Sequence, residues 1–179
     1  MKYKCFENEK KLSISFDKIS KKHIVSLLET IRSEFCKSKQ LQFFISIDGL
    51  ESTLENFIES CVSRDYCIYD NGRQNLFVKN LPTLCMITYE WNDVITFCEY
   101  TGSFNEGQMS LLFLDSDLHF DFDTHKKDDY FNINEYYVKI DVFSDGDEFE
   151  ITTGLTKENS EDEFVKMKTL IKCWENTAT

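Results

Sequence analysis

Proline occurs once in this 179-residue chain and glycine six times. That scarcity leaves little material for flexible linkers, so one continuous domain over 1–179 is expected. No apolar run approaches the length of a membrane-spanning helix. The opening stretch MKYKCFENEKK has no apolar centre of the kind a secretory signal needs. Seven cysteines stand at 5, 36, 61, 67, 85, 98 and 173, with no C-x-x-C pair. The spacing argues against a zinc ribbon and against a thioredoxin-type redox site. Most of these thiols fall inside apolar patterns, where cysteine behaves as a small hydrophobe. A reducing, cytoplasmic location is the expectation. The sequence also lacks a P-loop, a G-x-G-x-x-G, an H-E-x-x-H and a G-x-S-x-G. EF-hand spacing fails when counted from Asp115 and from Asp141. A protein that is not an enzyme, with no cofactor, is the expectation.

What is abundant is apolar and acidic. Apolar residues make up 41% of the chain and phenylalanine alone contributes 16 residues, so a sizeable core can be buried. The net charge is −12, unevenly spread. Residues 1–39 hold ten basic and five acidic residues; residues 115–150 hold three basic and twelve acidic. A field of this sign repels nucleic acid and anionic membranes and attracts basic proteins and cations.

Periodicity gives the elements. Residues 2–6 and 12–16 read as short strands. Ile24, Leu27, Leu28, Ile31 and Phe35 recur at helical spacing after Ser20. Residues 41–47 read as a buried strand. Ser52 and Glu55 have capping-box spacing ahead of a second helix with Leu54, Phe57, Ile58 and Cys61 on one face. Asn71-Gly72 predicts a hairpin joining 66–69 to 76–79. Asn92-Asp93 suggests another, between 84–91 and 94–100. Residues 109–114 run into a charged strand. Residues 136–143 and 148–152 form a third hairpin, and 124–135 reads as a long loop. Ser160 opens a terminal helix with Phe164, Met167, Leu170, Ile171 and Trp174 on one face. The fold class is α+β: a mostly antiparallel sheet of about six to eight strands, with helices near both ends of the chain covering one face.

The segment DSDLHFDFDTH (115–125) is the main candidate site. Its odd positions are Asp115, Asp117, His119, Asp121, Asp123 and His125; its even positions Leu118, Phe120 and Phe122 are apolar. On a strand that pattern puts the ionisable groups in one row on one face. Asp141, Glu148 and Glu150 alternate in the same way with apolar neighbours. Should these strands neighbour the row, one sheet face carries a broad negative field. Tyr130, in the following loop, suits a contact at its rim. A hydrated sheet face would show the same alternation. So would a metal-dependent enzyme using the Asp and His residues of 115–125, although same-face neighbours about 7 Å apart share an ion without caging it.

Small, acidic and without a catalytic motif, the chain resembles in general character the bacterial immunity proteins that neutralise toxins, including those of contact-dependent growth inhibition systems. DSDLHFDFDTH (115–125) and KIDVFSDGDEFE (139–150) carry the resemblance. Antitoxins, anti-restriction proteins and anti-CRISPR proteins share the same character. The resemblance implies a basic protein partner, a nuclease-type toxin domain, inhibited by occlusion, with neither nucleic acid nor membrane as a partner.

Overall fold

Period-two alternation dictates the sheet. The computed structural model describes residues 2–15, 21–37, 39–70, 81–101, 109–117, 133, 136–143, 148–154 and 160–178. The strands are β1 (Lys2–Phe6), β2 (Lys11–Ser15), β3 (Leu41–Asp48), β4 (Tyr66–Asp70), β5 (Pro82–Thr88), β6 (Met109–Asp115), β7 (Val138–Phe143) and β8 (Glu148–Thr153). They form one sheet in the order β1-β2-β8-β7-β6-β3-β5-β4. Every described pairing is antiparallel. Register aligns Leu12 with Ile151, Ile151 with Ile140, Ile140 with Leu111, Leu111 with Ile45 and Ile45 with Met86. That row crosses six strands and is buried.

The helices α1 (Lys21–Thr30), α2 (Glu51–Ser60), α3 (Trp91–Tyr100) and α4 (Ser160–Ala178) cover this side. Each buries a stripe at helical spacing: Leu54, Phe57 and Ile58 on α2; Phe164, Met167, Ile171 and Trp174 on α4. A fully buried Phe or Leu contributes about 1.5–3 kcal/mol relative to its exposed state. Trp174 Nε1 donates to Ser26 Oγ at 3.2 Å and joins α4 to α1. The Arg32 guanidinium, in the π-helical turn Ile31–Phe35 that extends α1, lies 4.3 Å from the Trp91 ring of α3. Tyr100 of α3 donates to Asn56 O of α2 at 3.2 Å. The helices therefore run α4, α1, α3, α2, with α4 packed near β8 and α3 near β3. α2 is outermost, on the β4 side.

The sheet's other side divides in two. Phe44, Cys85, Ile87, Leu112 and Leu114 form a second buried cluster on the β3, β5 and β6 columns. The columns of β1, β2, β8 and β7 carry mostly polar and charged residues there, with the exposed Phe6 and Phe143 among them. No helix of the described residues is long and apolar enough to cross a membrane.

Three local expectations change. Residues 94–100 are helix, not strand: Val94, Phe97 and Cys98 are all buried, which is helical spacing, and this outweighs the β-branched run Val94-Ile95-Thr96. The expected capping box does not open α2. Leu50 is its N-cap without a side-chain bond, and Ser52 and Glu55 lie inside the helix. Finally, the charged segment does not continue β6 as a strand from 115. β6 ends at Asp115, and residues 116–117 turn. The Asp117 N–H donates to Asp115 Oδ1 at 3.1 Å, the side-chain-to-backbone bond by which aspartate breaks a strand. Asn71-Gly72 and 76–79, the 118–125 part of the row and almost all of 124–135 lie outside the described residues.

Candidate binding surface

Asp115 belongs to the helix-covered side of the sheet. It follows Met109, Leu111 and Phe113, whose side chains are buried in the main core. Tyr137 Oη donates to Asp115 Oδ2 at 2.6 Å. The Lys39 Nζ lies 3.4 Å from the Tyr137 ring centroid and 3.7 Å from Glu163 Oε1 on α4. The Tyr137 bond, then the Asp117 N–H, hold the Asp115 carboxyl below the usual range. Burial, then the bond to Asp115, pushes the Tyr137 phenol up to about 12. This cluster fastens the end of β6 to the segments beside it.

Asp141, Glu148 and Glu150 stand together on the other side of the sheet. Register sets Asp141 opposite Glu150, and Glu150 opposite Ser13. Two like charges face one another, which costs free energy unless cations intervene. They do. Lys139 Nζ is 3.1 Å from Asp141 Oδ2, and Lys11 Nζ is 3.3 Å from Glu150 Oε2 and 2.9 Å from Glu9. Ser110 donates to buried Asp141, and Ser13 Oγ donates to Glu148 Oε1 at 3.0 Å. Lys2 and Lys4 alternate onto the same side of β1. Among the described residues this face is charge-balanced by the chain's own lysines and is not broadly negative. Asp115 lies on the opposite side of the sheet from these three carboxylates. Asp117 is exposed in the turn. His119, Asp121, Asp123, His125 and Tyr130 lie outside the described residues. Among the described residues, no group of three His, Cys, Asp or Glu side chains could hold a metal ion.

The least balanced charge of the described residues lies toward the β4 end of the sheet. Segment 48–70 has six acidic residues and one basic, Arg64; segment 81–101 has three acidic and none basic. Arg64 is engaged internally. Its guanidinium donates to the carbonyls of Ile58, Cys61, Ser63 and Glu59, capping the C-terminal end of α2. Glu51, Glu55 and Glu59 are exposed and carry no ion pair among the described residues. Spaced by four, they share one side of α2. Asn56 and Ser60 meet Tyr100, so the α3 side of α2 is theirs, and the glutamates are on the side turned to β4.

Beside them lies exposed apolar surface. Among the described residues, five of the eight large exposed apolar side chains belong to this region: Leu50, Val62, Tyr66, Ile68 and Tyr89. Tyr66 and Ile68 pair with Met86 and Leu84, so they point to the helix side of β4, yet they are 38% and 41% exposed.

Asp93 sets this corner. Fully buried, it accepts the N–H groups of Val62 and Ser63 at 2.6 and 3.0 Å and the Thr88 hydroxyl at 2.8 Å. The bonds clamp the α2–β4 connection to the start of α3.

The sequence did carry a signal for this surface. Glu51, Glu55 and Glu59 recur every four residues in a helix without lysine or arginine. Its charge is less dense than that of 115–125. No family model, no curated protein and no solved structure matches the chain.

Proposed function

We propose that this chain is a non-catalytic binding protein that holds a basic protein partner, as an immunity protein holds a nuclease-type toxin. The observation that supports this best is the α2 stripe: three exposed glutamates, without an ion pair among the described residues, beside exposed Tyr66, Ile68 and Val62. Carboxylates already paired within the chain gain little from a partner's cation. Unpaired ones gain attraction without first breaking an internal bond. Flanking aromatic and aliphatic side chains supply the desolvated contact that turns fast encounter into slow release.

Inhibition would be by occlusion. Lysines and arginines that otherwise grip phosphates would meet carboxylates instead. Charge pairs that become fully desolvated couple by about 1.5–7 kcal/mol, whereas rim pairs mainly speed association. The exposed Asp117 and the acidic residues that follow it add to the field that draws the partner in.

The test is co-purification from the native cell, using the wild-type chain and a Glu51→Lys, Glu55→Lys, Glu59→Lys variant. The expected result is a basic protein retained at low salt by the wild type, lost with the variant, and stripped of its nuclease activity when wild-type chain is added back. A captured protein whose activity is unchanged by the chain would overturn the proposal.

A further inference from the structure

The helix layer ends one strand short of the sheet on the β4 side. α2 is the outermost helix, and among the described residues no helix lies beyond it. Tyr66 and Ile68, on the helix side of β4, keep 38% and 41% of their surface exposed. Their counterparts on β5, Leu84 and Met86, are fully buried beneath the layer. The result is a shelf: a floor of Tyr66 and Ile68, and one wall formed by the β4-facing side of α2.

The two surfaces differ in chemistry, which restricts what fits. The wall holds Glu51, Glu55 and Glu59, rising about 6 Å per step along the helix. The floor holds Tyr66 and Ile68, about 7 Å apart along the strand. Gly49 N–H donates to Pro82 O at 3.1 Å, and Val62 N–H to Asp93 Oδ1 at 2.6 Å. α2 therefore runs in the direction of β5 and opposite to β4, which sets Glu59 toward the Tyr66 end and Glu51 toward the Ile68 end.

We infer that the shelf takes an amphipathic α-helix of a basic partner, which extends the chain's own helix layer by one. The inference rests on the reading of the chain as a binder of basic protein. A helix presents side chains every three to four residues on one side, so lysines or arginines at i, i+4 and i+8 meet the three glutamates in step. Leucines one quarter-turn away reach Tyr66 and Ile68. An extended strand alternates its side chains on opposite sides and cannot give one surface cations and the adjoining one apolar groups. Val62 and Tyr89, 59% and 60% exposed at the Tyr66 end, lengthen the apolar contact.

The probes are two synthetic 15-residue peptides of identical leucine and lysine content. One has helical spacing of leucines; the other alternates lysine and leucine. Each is titrated into the ¹⁵N-labelled protein at low and at high salt. The helical peptide is expected to shift amides of 51–68 and 89, with affinity falling at least about tenfold in a Glu51→Gln, Glu55→Gln, Glu59→Gln variant, as loss of interfacial charge pairs does. A Tyr66→Ser, Ile68→Ser variant removes the apolar half independently. Because these positions are exposed, unchanged circular dichroism certifies that the variants fold. Equal binding of the two peptides, or shifts confined to 139–152, would overturn the shelf and leave the reading as a basic-protein binder standing. Binding of neither peptide at low salt would overturn both.

Discussion

Tyr137 Oη donates to Asp115 Oδ2 at 2.6 Å, so the first aspartate of the acidic segment, though half-exposed, is tied to the chain's own tyrosine. The bond moves the two groups in opposite directions: the carboxyl below its usual range, the phenol up to about 12. Each direction has its own pH consequence. A lowered carboxyl stabilises the fold above its unfolded value and loses that contribution as pH falls through the folded value. A raised phenol stabilises the fold below about 10 and loses that contribution as pH rises towards about 12. Tyr137→Phe is expected to lower the melting temperature most between these limits and to narrow its difference from wild type at both extremes. A constant difference across the whole range would contradict the pairing.

Asp93 accepts three hydrogen bonds in a fully buried site. Asp93→Ala leaves two backbone N–H groups and one hydroxyl without this acceptor, at a cost of at least about 3 kcal/mol. Urea unfolding measures it. The same variant should also loosen the 61–66 connection, seen as faster amide exchange at Val62 and Ser63.

Gly154 follows β8 where the chain passes Tyr136. A Cβ there would lie 1.5 Å from the Tyr136 carbonyl oxygen, which is backbone and cannot rotate aside. Gly154→Ala is expected to lower unfolding free energy by about 1–3 kcal/mol through forced backbone displacement. Because Tyr137 neighbours the clash, the Tyr137 phenol should titrate at lower pH in this variant.

The salt bridges of the open sheet face should matter little to stability. Lys11 and Glu150 are partly exposed, at 22% and 26% of side-chain surface, and pairs of this kind contribute about 0–1 kcal/mol. Glu150→Gln should leave stability within about 1 kcal/mol of wild type. In a binding titration, Glu150→Gln should change association with a basic partner far less than Glu55→Gln does.

Thiol reactivity should sort by burial. Burial pushes the thiols of Cys36, Cys61 and Cys98 up to about 12, while Cys5 and Cys173 are exposed. A thiol-disulfide reagent is expected to label Cys173 and Cys5 in the folded protein and the buried three only on unfolding. Within the exposed pair Cys5 should lag, because desolvation by its neighbours and then its bond to Glu7 at 3.3 Å raise its thiol.

Core-forming residues were legible in the sequence where one physical pattern acted alone. The stripe Ile24, Leu27, Leu28 and Ile31 is buried as its spacing implied, and the strands at 136–143 and 148–152 pair as expected. Where two patterns competed, the local one misled. Val94-Ile95-Thr96 favours a strand, but the wider spacing of Trp91, Val94, Phe97 and Cys98 fits a helix packed on the Phe43–Phe113 ring pair. The end of β6 is invisible to periodicity because alternation continues past Asp115 while its side chain captures the Asp117 N–H. Charge was the least legible quantity. Carboxylate density is visible in a sequence; whether Lys11, Lys39 or Lys139 stands beside each carboxylate depends on strands that meet only in the folded sheet.

The strand order also governs when the molecule can assemble. β2 is hydrogen-bonded to β1 and β8, so its inner flank finds a permanent neighbour only after residues 148–153 have been made. A ribosome adding about 5–20 residues per second leaves that hairpin waiting several seconds or more. Throughout that interval Leu12 and Ile14, buried in the finished sheet, stay open to wrong partners. Lysines punctuate the hairpin at positions 2, 4, 10 and 11, and charge of that kind along an open strand edge disfavours edge-to-edge pairing.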